Sequence, residues 1–222
     1  MLNKESTHSS SGRIISNSKE LAVVCESTPI KLSRKFTAVL ANEIKEEQRN
    51  LSSANPPSGF QISKSDGSEV IIRREYPDGV SVEVEINLIG NVDPEIEEET
   101  SDKDPAPQFE FRPEIRIRLI KSSGRSVIFN CTLPSTDSDY QESDKDSNIP
   151  TYSVDSVEVS SLPGYFVYTD LFDDDMYDHT MQLLMERQLD STFQTELQHF
   201  CTSEEHKLYL KFLDEFKAYC NE

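Results

Sequence analysis

Apolar and polar positions alternate along the middle of the chain with the period of two that is typical of half-buried strands. In residues 80–88 every second residue is Val, Ile or Leu, and in residues 109–119 apolar residues alternate mainly with Glu and Arg. Shorter runs of the same kind lie at residues 60–64, 70–76, 127–133, 152–159 and 165–168. The pattern predicts about seven strands, each with one apolar face.

The connections between these runs predict how the strands pair. Turn signals too short to contain a crossover helix lie at Ser65-Asp66-Gly67, Pro77-Asp78-Gly79 and Ser122-Ser123-Gly124. They predict an antiparallel sheet in which consecutive strands are neighbours. The alternation slips by one residue between Val154 and Val157, which predicts a bulge near Asp155-Ser156.

Charged residues follow the polar face of this sheet. Glu83 and Glu85 lie on one predicted strand, and Arg116 and Arg118 lie on another. Opposite charges that face each other across two strands stabilise the pair. We expect a salt-bridged sheet face here if the register aligns them, rather than a free anion site.

Helical periodicity occupies both ends of the chain. Residues 36–48 carry apolar residues on one face and Glu on the other, and the Pro-rich residues 55–59 end this segment. A second helix is predicted in residues 173–187, with an acidic start and an apolar face formed by Met176, Tyr177, Thr180, Leu183 and Leu184. A third is predicted from Ser191, as its N-cap, to Cys220. The fold class is therefore α+β, with one N-terminal and two C-terminal helices flanking the sheet.

The charge balance narrows the class of partner. The chain of 222 residues has 41 acidic and 22 basic residues, which gives a net charge of −19. Three stretches carry most of this excess: residues 93–104, residues 135–148 and residues 170–178. Such charge disfavours direct binding of nucleic acid and favours basic protein partners.

Two long connections, residues 90–107 and 134–150, are rich in acidic residues, Ser and Pro, and are predicted to be mobile acidic loops. Together with the acidic start of the second helix they provide the candidate partner-binding carboxylates. These are Asp93, Glu95, Glu97, Glu98, Glu99, Asp102, Asp137, Asp139, Asp173, Asp174 and Asp175.

The domain is predicted to cover residues 36–222. Residues 1–35 contain eight Ser and six basic residues against three acidic ones, which is compatible with a disordered tail or a mitochondrial transit peptide. The four cysteines show no metal-binding spacing and are interpreted as reduced residues, three of them at apolar positions. No apolar run is long enough to span a membrane.

The order of these elements, together with two groups of residues, resembles the mitochondrial acidic matrix protein family. That family, also called the mitochondrial glycoprotein family, includes complement globular-head receptors and hyaluronan-binding proteins. The first group is residues 36–47, with the sequence FTAVLANEIKEE. The second consists of Tyr177-Asp178-His179, Leu184, Arg187, Asp190, Phe193, Leu197, Glu205, Tyr209, Phe212-Leu213 and Phe216-Lys217. The resemblance covers residues 36–222.

The resemblance implies a ring-shaped homotrimer in the mitochondrial matrix and a non-enzymatic scaffold or chaperone for basic proteins. Ribosomal or RNA-associated clients are implied, with support of mitochondrial translation and oxidative phosphorylation. Apolar residues around the last helix are expected to serve the core and the trimer: Phe193, Leu197, Phe200, Leu208, Phe212 and Phe216. One departure is Gln188, where similar chains often have a Gly that ends the first long helix, so we expect a different or strained turn there.

Catalysis has little support in the sequence. Gly-rich phosphate loops, a nucleophile elbow and a His-Glu-x-x-His motif are absent, and no catalytic residue, cofactor or metal site is predicted. The alternative is a carboxylate-rich metalloenzyme that uses Asp175, Asp178, His179, Glu196 and His199. A ligand-binding receptor of the same fold outside mitochondria is a third possibility.

Overall fold

The computed structural model describes residues 29–89, 113–134 and 149–221. Within them the chain forms three α-helices, seven strands and a short 3-10 turn. The helices are α1 (Pro29–Asn50), α2 (Asp174–Met185) and α3 (Ser191–Tyr219). The strands are β1 (Gln61–Asp66), β2 (Glu69–Glu75), β3 (Ser81–Asn87), β4 (Glu114–Ile120), β5 (Ser126–Thr132), β6 (Ser153–Val159) and β7 (Phe166–Tyr168), and the turn is Thr169–Leu171.

The seven strands form one sheet in the order of the sequence, and every neighbouring pair is antiparallel. The predicted sheet is therefore confirmed. The predicted bulge is also confirmed, because Asn130 lies opposite Ser156 whereas the next residue, Cys131, lies opposite Val154. Asp155 is the extra residue, and it lets both flanking apolar residues of β6 keep their side chains on the core face.

The core lies between the apolar face of the sheet and the two C-terminal helices. Leu184 and Leu189 from α2 and the turn after it, and Leu197 and Phe200 from α3, are at most 1% exposed. They pack in one cluster with the buried apolar residues of β2 to β6, which include Ile72. Burying this face is the main favourable contribution to folding, because apolar area is removed from water on both layers.

The described chain divides into two compact units. One is Glu47–Phe212, which contains the whole sheet, α2 and most of α3. The other comprises the described residues of Met1–Glu46 and Leu213–Glu222. In this second unit Leu40, Ile44 and Leu213 are buried, and the rings of Phe36 and Phe216 meet edge to face at 5.2 Å.

Two helix starts differ from their predicted positions. α1 begins at Pro29 rather than Phe36, because Pro fits the first helical turn even though residues 29–35 lack a clear apolar period. α3 is capped by Asp190 rather than Ser191: the Asp190 carboxylate accepts hydrogen bonds from the N–H groups of Thr192 and Phe193 at 3.0 and 3.1 Å. Both residue types are good N-caps, and the chain uses the one placed a residue earlier.

The turn between α2 and α3 is held by side chains of the sheet. Gln188 has φ of 57°, the left-handed conformation in which a helix-ending Gly is favoured. The Tyr76 hydroxyl donates to the carbonyl of Arg187, and the Tyr152 hydroxyl donates to the carbonyl of Leu189 at 2.8 Å. Arg74 donates to the side-chain oxygen of Gln188 at 2.6 Å. These hydrogen bonds hold three successive residues and explain how the turn keeps Gln in place of Gly.

Replacing Gln188 by Gly is expected to change the free energy of unfolding by less than about 0.5 kcal/mol. Gly removes a left-handed penalty of roughly 1 kcal/mol, but the hydrogen bond from Arg74, worth roughly 0.5 to 1 kcal/mol, is lost with the side chain. In an Arg74→Met background the same substitution should stabilise by about 1 kcal/mol. Urea unfolding of the four proteins of this cycle measures both values, and a stabilisation equal in the two backgrounds would contradict the compensation.

α3 also fixes the backbone on both sides of residues 135–148. The side-chain oxygen of Gln194 accepts hydrogen bonds from the N–H groups of Thr151 and Tyr152 at 2.7 and 3.0 Å. One turn later the amide nitrogen of Gln198 donates to the carbonyl of Pro134 at 3.2 Å. Gln194 is 4% exposed, so this is a buried polar contact whose hydrogen-bonding groups are paired.

Candidate functional site

The polar face of the sheet carries a ladder of ion pairs, which confirms the expected cross-strand pairing. Glu83 lies opposite Arg118, and Glu85 lies opposite Arg116. Between β3 and β4 the shortest contacts join Arg118 to Glu85 at 3.1 Å and Arg116 to Glu85 at 3.2 Å. Arg73 on β2 adds a contact of 2.7 Å to Glu83. The register of three adjacent strands thus brings these charges together.

The ladder extends across the sheet. Arg116 also lies 3.8 Å from Glu158 on β6 and donates to the side chain of Asn130 on β5 at 3.1 Å. Arg73 also lies 3.2 Å from Glu75 on its own strand, so among the described residues three arginines pair with four glutamates. Since these carboxylates already have cationic neighbours, they offer little to a basic partner, and the acidic excess of the protein must be sought elsewhere.

The acidic residues of this excess that the structure describes lie between the last strand of the sheet and the first turns of α2. Residues 170–178 contain five acidic residues and no basic one. Asp173 caps α2 by accepting a hydrogen bond from the N–H of Met176 at 2.9 Å. Asp174 and Asp175 follow in the first turn, where carboxylates are favoured by the helix dipole. Within residues 29–89, 113–134 and 149–221, no ion pair reaches a carboxylate of this stretch.

The other candidate partner-binding residues lie outside the described residues. They are Asp93, Glu95, Glu97, Glu98, Glu99, Asp102, Asp137 and Asp139. The structure places only the chain ends next to them: Ile89 and Pro113 flank the first group, and Pro134 and Ile149 flank the second.

An exposed, nearly flat surface lies along one face of α2, next to the acidic stretch, and was missed from the sequence. It combines two carboxylates with an apolar stripe. Its residues are Asp173, Asp175, Met176, His179, Thr180 and Leu183. Met176 and Leu183 were assigned to the core-facing side of the helix, but they are 53% and 39% exposed, whereas Leu184 is fully buried. The helix has two neighbouring apolar stripes, and only the one with Leu184 enters the core.

The six aromatic and aliphatic residues expected to serve the core and the trimer separate into two groups along α3. Phe193, Leu197 and Phe200 are buried in the core, and Leu208 packs against it. Phe212 and Phe216 are 57% and 37% exposed in the single chain.

The residues of the metalloenzyme alternative do not form a common site. The carboxylate of Glu196 accepts hydrogen bonds from the N–H and the hydroxyl of Ser58, at 2.6 and 2.9 Å. The Nδ1 atom of His179 lies 2.6 Å from the carbonyl oxygen of Asp175 in its own helix. Among the residues that the structure places, no group of three or more His, Cys, Asp or Glu side chains has the arrangement that a metal ion needs.

The buried thiols are unsuited to nucleophilic chemistry. Burial raises the pKa of Cys201 to about 12 and raises the pKa of Cys131 as well. Both side chains therefore stay protonated at physiological pH, and a thiol is a far weaker nucleophile than a thiolate. Their role is to fill the core, as expected from their apolar positions.

Comparison with known proteins identifies relatives of this chain. The human complement component 1 Q subcomponent-binding protein, mitochondrial, is 28% identical over 201 residues, which are 83% of this chain and 70% of the human one. The bovine protein of the same name is 26% identical over 212 residues, 88% of this chain and 74% of its own. This chain is their homologue. The family resemblance noted in the sequence is thereby confirmed, although no family model matches the chain.

The fold has solved counterparts. The Trypanosoma brucei p22 protein superposes with a TM-score of 0.58 at 12% identity and covers 85% of this chain and 98% of its own. A Leishmania major protein described as a sequence homologue of human p32 gives the same TM-score, with 83% and 97% covered. These structures confirm the α+β architecture.

The homologues indicate the cellular location and the general class of this chain. Their names describe mitochondrial proteins, which confirms the expected mitochondrial localisation. No helix in the described part combines the length and the apolar character needed to cross a membrane. The chain is a non-enzymatic mitochondrial binding protein.

Proposed function

We propose that the protein is an acidic scaffold of the mitochondrial matrix that binds basic proteins and keeps them soluble. One observation carries the proposal: most of the acidic excess is separated from the ladder of the sheet, whose glutamates have Arg partners. Residues 170–178 have five carboxylates with no ion pair to a described base, and residues 93–104 and 135–148 add a net charge of −6 and −4.

Such a charge distribution suits basic clients. Uncompensated carboxylates attract Lys and Arg clusters at long range and raise the rate of encounter, whereas the glutamates of the ladder already have Arg partners. Ribosomal and RNA-associated proteins are the basic proteins that a mitochondrion must keep soluble in large amounts. We infer that these are the clients, and that the protein supports translation and, through it, oxidative phosphorylation.

The active form is proposed to be a homotrimer. Phe212 and Phe216 leave a large apolar area exposed on the last turns of α3, and a contact between copies would cover it. Mass measurement by light scattering tests this: the native protein should give three times the monomer mass of 25.3 kDa. A mass equal to one chain at micromolar concentration would rule the assembly out.

Neutralising the six acids Asp93, Glu95, Glu97, Glu98, Glu99 and Asp102 with Asn and Ser should weaken binding of a purified basic ribosomal protein. We expect a loss of about tenfold or more at physiological salt, because each carboxylate contributes to a long-range attraction. The same binding should fall steeply for the unaltered protein as the Debye length shrinks from about 10 Å at 0.1 M salt to about 3 Å at 1 M. Isothermal titration across a salt series gives both values.

A control that removes two charges elsewhere replaces acids on the exposed surface of α3, Asp214→Asn with Glu215→Gln, and should change the affinity by less than about twofold. Thermal unfolding should show the fold intact in both variants. Unchanged affinity in the six-acid variant would reject residues 93–102 as the binding segment. Affinity that is indifferent to salt would reject the electrostatic scaffold altogether.

A further inference from the structure

α2 is held in the fold by little apolar surface of its own. All 12 of its residues are described, and of these only Leu184 is buried, while Met181 packs partly against the same core cluster. α3, by contrast, places Phe193, Leu197 and Phe200 in that cluster. A helix as short as α2 is marginal in water without tertiary packing. The contacts that keep α2 docked must therefore lie largely outside its own apolar face.

Arg187, two residues after α2, supplies several of these contacts. Its side chain donates to the carboxylate of Asp78, in the turn between β2 and β3, at 2.7 Å, and its guanidinium lies 5.4 Å from the centre of the Tyr76 ring. The Tyr76 hydroxyl donates to the carbonyl of Arg187. The side chain of Arg187 is 20% exposed, so the cationic side of this ion pair is largely shielded from water. Arg187, Asp78 and Tyr76 are called the Arg187 cluster below.

The chain is fixed independently on both sides of α2. Before the helix, the Thr169 hydroxyl donates to the carbonyl of Val154 on β6 at 2.5 Å. After the helix, Leu189 is fully buried, and its carbonyl accepts a hydrogen bond from the Tyr152 hydroxyl at 2.8 Å. Neither contact uses a residue of 173–187. The chain can therefore keep both attachments when α2 leaves the sheet.

We infer that residues 173–187, the α2 segment, open as a local unit while the sheet and α3 stay folded, and that the Arg187 cluster controls how often they open. Segments with few buried apolar contacts open at a lower free energy than the core of the same domain. In the open form the carboxylates of residues 173–178 leave the helix start, and the core site that Leu184 fills is uncovered. An acidic segment and an apolar site become accessible together.

Hydrogen exchange of the full-length protein in its native assembly, followed by mass spectrometry, tests the inference. In the unaltered protein the backbone amides of residues 178–186 should exchange about 100-fold faster than those of residues 195–204 in α3, after correction for intrinsic rates. Gln194→Ala breaks a buried contact outside the α2 segment. It should speed exchange in residues 195–204 and leave residues 178–186 unchanged, because this contact is intact in both the closed and the open form of the α2 segment.

A matched pair of arginine substitutions tests the Arg187 cluster. Arg187→Met removes the ion pair but keeps an unbranched side chain beside the Tyr76 ring. It should speed exchange in residues 178–186 about tenfold, the effect of one lost charge-assisted hydrogen bond. Arg73→Met is the control, because Arg73 also has a carboxylate at 2.7 Å, that of Glu83, but lies outside the α2 segment. It should change exchange in residues 178–186 by less than about twofold.

Equal protection of α2 and α3 in the unaltered protein would overturn the inference, because α2 would then exchange only when the whole domain unfolds. The same conclusion would follow if Gln194→Ala accelerated both helices by the same factor. If Arg187→Met accelerated residues 178–186 no more than Arg73→Met does, the controlling role of the Arg187 cluster would be rejected.

Discussion

Replacing Phe200 by Ala is expected to lower the free energy of unfolding by roughly 3 to 5 kcal/mol. Phe200 is 1% exposed and belongs to the cluster between α3 and the sheet. Removing its ring loses the transfer free energy of a large apolar group and leaves a cavity that the flanking strands cannot fill, because the hydrogen-bonded sheet resists collapse. Urea unfolding followed by circular dichroism, at one fixed protein concentration, measures the loss.

Phe212→Ala is the matched control on the same helix. Phe212 is 57% exposed in the single chain, so its loss should cost less than about 1 kcal/mol within one subunit. Its effect should instead appear in the oligomeric mass if copies meet there. Equal destabilisation by the two substitutions would contradict the division of α3 into a core half and an exposed half.

Gln194→Ala should lower the free energy of unfolding by roughly 2 to 4 kcal/mol. The substitution removes the acceptor for the N–H groups of Thr151 and Tyr152, in a place where water has little access. A buried donor that loses its acceptor costs its desolvation penalty in addition to the lost bond. Thermal and urea unfolding should agree on the loss.

Gln182→Ala is the control for this change, because Gln182 lies on the exposed surface of α2 and the same truncation there should cost less than about 0.5 kcal/mol. A loss below about 1 kcal/mol in Gln194→Ala would mean that the backbone near Thr151 finds another acceptor. In that case Gln194 would not be the residue that fixes this end of the acidic segment.

The sheet could be predicted from the sequence in detail because its signals are local. A period of two fixes which side chains share a face, and the one-residue slip between Val154 and Val157 could only be accommodated by a bulge, which the structure places at Asp155. The pairing of Glu85 with Arg116 could not be derived in the same way, because the long connection between β3 and β4 leaves their register open, and the structure supplies it.

The helices were harder to predict because several solutions share one pattern. Asp190 and Ser191 are both good N-caps. Which of them caps α3 depends on the backbone path of the turn after α2. In α2 both Met176 and Leu184 sit on apolar stripes, and the sequence does not say which stripe the sheet covers. Because of that ambiguity, the exposed face of α2 with Met176 was assigned to the core.

The exposure of the edge strand β1 could not be predicted from the sequence either. Residues 61–66 show a strand-like pattern, yet every residue of β1 is exposed, because this strand is at the edge of the sheet and the described helices do not cover it. Ser63 is skipped where β1 pairs with β2, and this irregularity, followed by Lys64, blunts the open edge against pairing with another chain.

Gln194 and Gln198 of α3 hold the backbone on both sides of residues 135–148. This segment can therefore be exchanged without changing the rest of the fold. Both ends of the segment are tied to one helix, a single turn apart. The free-energy cost of closing a loop grows slowly with its length, by about 0.6 kcal/mol for each doubling. Related chains can therefore lengthen, shorten or recharge this segment while the sheet and its register stay the same. Under the proposed function, the range of clients can thus evolve, or be engineered, independently of the fold that carries it.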